Sequence, residues 1–230
     1  MIEINYNEIV TPELMEGAIL NKEHPGFLED YKTLHWLLRI HAPKSVLEVG
    51  TNIGNGVNVI KAALPDADVY SLDLPAKGKD RVGSACRFPY TQLRGDSLTF
   101  DYSAHPCEAA WIDGCHTAEF VSHETKAMLK NKTKLIIFHD SDIPEVMAGI
   151  IQGISESESA GYEFYLVTGT RLAYLLKAKN EVTIKSESFE SFIEGGIVSG
   201  PINEAWSDPP EQIIPLEKIN KMLKKTRKKK

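Results

Sequence analysis

The stretch VLEVGTNIGNG, residues 46–56, decides the fold that we predict for this chain. It begins as a short apolar strand that carries one carboxyl group, Glu48, near its end. Gly50 and Gly54 follow in a glycine-rich turn, and apolar residues at helical spacing continue to Leu64. A strand, a glycine turn and a helix in this order place backbone N–H groups at the carboxyl edge of a sheet, where open α/β folds bind ligands.

The rest of the chain also alternates between strand and helix patterns. Ahead of the turn, apolar residues at helical spacing predict an amphipathic helix over residues 27–40. After the turn we predict strands at 69–72, 91–93, 109–112 and 134–138, helices at 118–130 and from Pro144, and a closing hairpin of strands 163–167 and 172–176. The alternation predicts a Rossmann-like α/β fold: a mostly parallel sheet, helices on both faces and an antiparallel edge hairpin.

We divide the chain into three parts. An N-terminal helical segment spans residues 1–44, the Rossmann-like domain spans 45–179, and a C-terminal extension spans 180–230. The extension ends in a basic tail, residues 218–230, which holds eight Lys and Arg residues and no acidic ones. We interpret this tail as a solvated terminus, with contact to phosphates or an anionic membrane surface as the alternative.

Composition and charge argue against several classes of protein. The whole chain has a net charge of −6, and the part that remains when the basic tail is set aside is more acidic still. An acidic body disfavours a broad nucleic-acid-binding face. No run is long and apolar enough for a spanning helix, and the first residues lack the pattern of a secretory signal. The three cysteines lack CxxC spacing, so we expect neither a disulfide framework nor a zinc site, and a cytoplasmic location fits best.

Carboxyl groups beside the turn bear on the choice of ligand. A carboxylate at Glu48 would repel the pyrophosphate of a dinucleotide, but it suits the positive charges of S-adenosylmethionine. The spacing Gly50–Gly54 is G-x-x-x-G, which also departs from the dinucleotide pattern G-x-G-x-x-G. Asp73 ends the next strand, where a carboxylate accepts hydrogen bonds from ribose hydroxyls in both kinds of cofactor. Asp96 follows the third strand and either accepts from the adenine amino group or caps a turn.

Five segments then occur in order: VLEVGTNIG, SLDLP, GDS, WIDGCH and LIIFHD. Together they resemble class I S-adenosylmethionine-dependent methyltransferases, over residues 27–178. The resemblance is greatest to the branch with an Ile-Asp-Gly-x-His segment and a later His-Asp, which includes enzymes acting on sugars and other small hydroxylated molecules. It implies that the glycine turn holds the methionine part of the cofactor. The cofactor-binding residues that it implies are Glu48, Gly50, Thr51, Asn52, Gly54, Asp73, Asp96, Ser97 and Asp113.

Reactive side chains also follow two neighbouring strands of the predicted sheet. Asp113 and His116 follow one strand, and His139, Asp140 and Asp142 follow the next. The carboxyl ends of parallel strands share one edge, so these groups converge beside a bound methyl donor and form the predicted active site. A hydroxyl acceptor must lose its proton, and His139 and His116 are the candidate general bases, with Asp113 in the same catalytic group. We favour His139 because it ends an apolar strand at the edge of the cleft.

Metal assistance is an alternative route to the same reaction. In related metal-dependent O-methyltransferases, an aspartate after the fourth strand and an Asp-Asn pair after the fifth bind Mg²⁺. Asp113 and Asp140 match the two aspartates, but Ser141 stands in place of the asparagine, and Asp142 is a substitute ligand. The predicted metal set is therefore Asp113, Asp140 and Asp142, with Mg²⁺ as the ion.

The leading hypothesis is an S-adenosylmethionine-dependent methyltransferase that methylates a hydroxyl group of a small molecule. Two alternatives keep the fold: a hydroxylase-like enzyme, and a catalytically silent protein that binds the cofactor. A nucleic-acid methyltransferase is less favoured, because the body is acidic and no Asn-Pro-Pro-aromatic or Pro-Cys motif occurs. The class is compatible with a homodimer, and the sequence does not identify the acceptor.

Overall fold

A computed structural model describes residues 27–75, 81–157, 159, 161–167 and 170–177. The rest of the predicted N-terminal segment and nearly all of the C-terminal extension, including the basic tail, lie outside the described residues. Within the described part, no helix is both long enough and apolar enough to cross a membrane.

Every predicted helix and strand is present, with bounds close to the predicted ones. The helices are α1 (Phe27–His41), α2 (Asn55–Ala63), α3 (Ala118–Lys130) and α4 (Pro144–Ser155). The strands are β1 (Ser45–Val49), β2 (Asp68–Asp73), β3 (Thr91–Arg94), β4 (Ala109–Ile112), β5 (Leu135–Phe138), β6 (Tyr162–Leu166) and β7 (Ala173–Lys177). A short 3₁₀ helix lies at Tyr102–Ala104.

The strands form one sheet in the order β3-β2-β1-β4-β5-β7-β6. Strands β1 to β5 are parallel to their neighbours, whereas β7 is antiparallel to both β5 and β6. This confirms the predicted mostly parallel sheet with an antiparallel hairpin. The strand order reverses between β1 and β4, and such a switch point opens a crevice at the carboxyl ends of the strands.

Hydrophobic residues cover both faces of the sheet, as a doubly covered parallel sheet requires. One core cluster joins the sheet to α3 and α4, and the other joins it to α1 and α2. The central strands β4 and β5 are buried along their whole length, with Trp111 fully enclosed. The two layers hold the strand ends at fixed positions beneath the crevice.

Helices α3 and α4 pack closely because α4 presents two glycines to α3. A Cβ on Gly153 would lie 2.5 Å from Cβ of Thr125, and one on Gly149 would lie 2.7 Å from Cβ of Val121. Gly153→Ala should therefore lower the free energy of unfolding by roughly 1–3 kcal/mol, through overpacking. Urea denaturation measures this, with the exposed Gln152→Ala on the same helix as control, expected within about 0.5 kcal/mol of the wild type. Equal stability of the two variants would contradict the close packing.

Candidate active site

A cavity of about 720 Å³ opens at the carboxyl edge of the sheet, over the switch point. This volume is in the range of small-molecule sites. The cavity brings together most of the predicted residues: Gly50, Thr51, Asn52, Asp73, Asp96, Ser97, Asp113, His116, His139 and Asp140. Glu48, Gly54 and Asp142 are not among its lining residues.

The glycine turn has the strained backbone that its sequence predicts. Gly50 has φ +100°, and a Cβ there would lie 2.1 Å from the carbonyl oxygen of Asp113. Asn52 also adopts a positive φ of +46°, a conformation that asparagine tolerates better than most residues. Gly50 therefore serves the close approach of the ends of β1 and β4, directly under the cavity.

Gly54 is approached closely by the loop after β2. Its φ is +101°, but the group that approaches it is the thiol of Cys86, which lies 2.1 Å from the position of a Cβ. The backbone N–H groups of Gly83 and Ala85 donate to carbonyls of the turn at 2.8 Å. Gly54 thus makes room for the loop after β2, and its contact with the ligand stays a prediction.

The structure places the side chain of Glu48 in the interior, not on the cavity wall. Side chains alternate along β1, so Glu48 points to the same face as Val46, under α1 and α2, and it is 1% exposed. Its Oε1 lies 1.9 Å from the position of a Cβ on Gly56, and Ser71 donates a short hydrogen bond to Oε2. Burial raises the pKa of Glu48 well above its ordinary value, and its contact with the cofactor stays a prediction.

Asp73 and Asp96 lie on the cavity wall, and both carboxylates already accept hydrogen bonds from backbone N–H groups. Asp73 Oδ2 accepts from the backbone N–H of Asn52 at 2.8 Å, and Oδ1 accepts from that of Leu74 at 2.7 Å. Each carboxylate oxygen has a second lone pair, so Asp73 can still accept from two hydroxyls. Asp96 Oδ1 accepts from Leu98 N at 3.0 Å, which is the turn contact named as the alternative, and its ligand role stays a prediction.

Two carboxylates and two imidazoles meet at the other end of the cavity. His139 Nδ1 lies 3.0 Å from Asp113 Oδ1 and 3.2 Å from Asp140 Oδ2. His116 Nε2 lies 3.1 Å from the same oxygen of Asp140 and 3.7 Å from that of Asp113. The strand ends of β4 and β5 therefore bring these four side chains together, as the parallel sheet predicts.

The two histidines differ in exposure and charge. Burial alone would lower the pKa of His139, but the charge of Asp113 and hydrogen bonds to Asp113, Asp140 and Asp30 raise the pKa to about 11. The surrounding carboxylates therefore favour the protonated form of His139. His116, whose side chain is 42% exposed, has a raised pKa because of the neighbouring carboxylates of Asp113 and Asp140. Which histidine is the general base stays a prediction, and the greater exposure of His116 makes it the more accessible of the two candidates.

Two residues of this cluster were not predicted. Asp30 of α1 is fully buried, and its Oδ2 lies 3.2 Å from His139 Nε2. Arg171, which precedes β7, contacts both Asp30 and Asp140 with its guanidinium group. A sequence signal existed for Asp30, because it shares the apolar stripe of α1 with Leu34 and Leu37. Arg171 carried no such signal.

The donor atoms of Asp113, His139 and Asp140 lie within 4.8 Å of one another, which is compatible with one divalent ion. The fit requires a neutral His139 with its Nδ1 lone pair free, while Asp30 accepts from Nε2–H. Asp142 is exposed and outside this group, so His139 takes the place that we predicted for Asp142.

Glu124 of α3 is a buried carboxyl group directly behind the cavity wall. It is fully buried, and its Oε1 lies 3.7 Å from the position of a Cβ on Gly114, which lines the cavity. Burial raises the pKa of Glu124 to about 7. A carboxyl group whose pKa is higher in the folded than in the unfolded protein lowers the stability of the fold at every pH above the pKa of the unfolded state.

Glu124→Gln should therefore stabilise the protein at alkaline pH. The cost of the wild-type carboxyl group grows as pH rises from about 4.5 to about 7 and is then constant. The variant should gain roughly 1–3 kcal/mol at pH 8 and much less at pH 5. Urea denaturation at both pH values measures the gain, with the exposed Glu119→Gln on the same helix as control. A gain of the same size at both pH values would contradict the assignment.

Comparisons with known proteins support the fold. No protein-family model matches the chain, and no curated protein matches its sequence. A methyltransferase from Podospora anserina, solved with S-adenosylhomocysteine, superposes with a TM-score of 0.54 at 11% identity, over 77% of this chain and 89% of that one. An O-methyltransferase from Bacillus cereus, also in complex with S-adenosylhomocysteine, gives 0.53 at 16% identity, over 77% and 92%.

A third structure, the methyltransferase MycE of the mycinamycin biosynthetic pathway, was solved with Mg, S-adenosylhomocysteine and mycinamycin VI. It gives a TM-score of 0.53 at 14% identity, over 79% of this chain and 57% of that one. At these identities the likeness is one of architecture. The chain therefore has the Rossmann-like fold that S-adenosylmethionine-dependent methyltransferases share.

Proposed function

We propose that this protein is an S-adenosylmethionine-dependent methyltransferase that acts on a hydroxyl group of a small molecule. The observation that carries the proposal is the composition of the cavity. Asp73, a carboxylate at the position that binds ribose hydroxyls in such folds, lines one end of the cavity. The other end is lined by the cluster of Asp113, His116, His139 and Asp140. A site of this kind holds an adenosine cofactor and a proton-accepting centre in one space.

The cofactor is assigned to the part of the cavity over the glycine turn. Its ribose hydroxyls donate to Asp73, and its adenine lies by Asp96 and Ser97. The amino-acid end lies along the turn, from Gly50 towards Gly56, with Asp113 near its positive charges. This orientation directs the sulfonium methyl group towards His116 and Asp140, where an acceptor has room to bind.

The reaction is an in-line displacement at carbon. A bond forms between the acceptor oxygen and the methyl carbon while the carbon–sulfur bond breaks, leaving a methyl ether and S-adenosylhomocysteine. The hydroxyl proton passes to Nδ1 of neutral His116, because its Nε2–H faces the carboxylate of Asp140 at 3.1 Å. His139, held between the carboxylates of Asp113 and Asp30, contributes a ring of fixed orientation.

A divalent ion is an assisting group for the same centre. Asp113, His139 and Asp140 would hold it, as their donor atoms lie within 4.8 Å of one another. When bound, such an ion lowers the pKa of a hydroxyl group that it contacts. His116, held through Nε2–H at 3.1 Å from Asp140 Oδ2, would then offer Nδ1 as a proton acceptor beside this centre.

Calorimetric titration tests the proposal. We expect S-adenosylhomocysteine to bind with micromolar affinity and NAD⁺ to give no heat of binding. Asp73→Asn should weaken S-adenosylhomocysteine binding about 10-fold or more, because a hydrogen bond to a charged group is worth about 1.5–3 kcal/mol. Asp66→Asn, in an exposed turn before β2, is the matched control and should bind as the wild type does. Tighter binding of NAD⁺ than of S-adenosylhomocysteine would rule the proposal out.

A further inference from the structure

We propose that Asp30 and Arg171 are positioning residues that hold His139 and Asp140 in their functional orientation. The helix α1 and the segment before β7 are then parts of the active centre, although neither belongs to a sequence motif of the site. The inference deepens the proposed function and rests on it, but the arrangement itself can be measured without any turnover.

Arg171 uses both its backbone and its side chain to join three elements. Its backbone N–H and its Nε donate to Asp30 at 2.8 and 2.9 Å, and its Nη2 lies 2.8 Å from Asp30 Oδ2. Its Nη1 donates a short hydrogen bond to Asp140 Oδ1. Its carbonyl oxygen accepts from the backbone N–H and the hydroxyl of Ser141 at 2.8 and 3.0 Å. Arg171 therefore fixes the loop after β5 on two sides.

Asp140 has a strained backbone that these contacts stabilise. Its φ is +52°, which is uncommon for a residue with a side chain. Strained conformations persist where the surrounding contacts over-determine them, and they concentrate at functional sites. Here Arg171 binds Oδ1 of Asp140 and the next backbone N–H, so that Oδ2 is left facing His116 and His139 at 3.1 and 3.2 Å.

Asp30 completes the arrangement from the opposite side of the imidazole. His139 Nε2 lies 3.2 Å from Asp30 Oδ2, and Nδ1 lies 3.0 Å from Asp113 Oδ1. A ring held at both nitrogens has one orientation. Three carboxylates around one imidazole also repel one another, and the Arg171 guanidinium offsets this repulsion at Asp30 and Asp140. Loss of either positioning residue should let the ring of His139 and the carboxylate of Asp140 turn away.

Arg171→Lys is the main test variant. Lysine keeps the charge but lacks the planar fork that reaches two carboxylates at once. Crystal structures of the wild type and the variant should show that Asp140 loses its positive φ or that the His139 ring rotates. Mn²⁺ alone, followed by its paramagnetic resonance signal, should bind about 10- to 100-fold more weakly, as is typical when a residue that orients metal ligands is lost. Binding of S-adenosylhomocysteine should change less than about 3-fold, because Asp73 is untouched.

Chemical rescue of a truncated variant distinguishes a positioning role of Arg171 from a general loss of structure. In Arg171→Ala, millimolar methylguanidinium should restore Mn²⁺ affinity, whereas methylammonium should not. Lys126→Gln, which breaks an exposed ion pair with Glu156, is the matched control and should leave both affinities unchanged. Unchanged positions of Asp140 and His139 in Arg171→Lys, with wild-type Mn²⁺ affinity, would overturn the inference. A wild-type protein that fails to bind S-adenosylhomocysteine would instead overturn the proposed function, and the crystallographic comparison would still decide the positioning role.

Discussion

Gly50→Ala is expected to lower the free energy of unfolding by at least about 3 kcal/mol, because two separate costs act at one residue. The φ of +100° is strained for alanine, and its Cβ would lie 2.1 Å from the backbone oxygen of Asp113. That oxygen cannot rotate away as a side chain can. Relief requires the ends of β1 and β4 to separate, which would also open the floor of the cavity. Urea denaturation measures the change in stability.

Gly161→Ala is the matched control for this variant. Gly161 has φ +83°, but nothing lies within 4 Å of the position of its Cβ. Alanine there should cost only the backbone strain, about 1–2 kcal/mol. The difference between the two variants therefore isolates the close approach of β1 and β4. If Gly50→Ala were no more destabilising than Gly161→Ala, the contact between the glycine turn and Asp113 would not be structurally important.

His116→Gln is expected to lower the rate constant of methyl transfer by about 10²- to 10⁴-fold, the usual contribution of a general base. S-adenosylhomocysteine affinity should stay within about 3-fold of the wild type, since the side chain does not hold the adenosine part. The assay follows transfer from isotopically labelled S-adenosylmethionine to a panel of catechols and hydroxylated sugars.

The pH dependence provides a second test of His116. The carboxylates of Asp113 and Asp140 raise its pKa, so the neutral, proton-accepting form becomes abundant at a higher pH than for an ordinary histidine. The wild-type rate should rise with pH through that pKa, and the variant should lose this dependence. His123→Gln, on α3 and outside the cavity lining, is the control. Equal rates and pH profiles in wild type and His116→Gln would show that another group takes the proton.

The fold was predictable because each strand is a short apolar run between turn residues. The strands β4 and β5 read Ala-Ala-Trp-Ile and Leu-Ile-Ile-Phe, and all of these residues are buried, as expected of central parallel strands. The same logic placed Asp113 and Asp140 at one edge, because strand ends in a parallel sheet coincide. Local sequence therefore determines the elements and the floor of the site.

The contacts of individual side chains were not predictable, since they depend on distant segments. Arg171 pairs with Asp30 across 141 residues, and no periodic pattern links the two positions. The surroundings of His139 depend on that pairing, because Asp30 lies 3.2 Å from its Nε2, and the sequence alone could not show this contact. The close approach of Cys86 to Gly54 was likewise not predictable, because Cys86 lies in a loop without a recognisable pattern.

A crystal structure of the protein with S-adenosylhomocysteine tests the central claim most directly. The account predicts that the ribose hydroxyls donate to the carboxylate of Asp73, and that the sulfur atom faces the space beside Asp113 and His116. A ligand bound outside this cavity, or one with its adenine end beside His116, would contradict the assignment of both cofactor and chemistry.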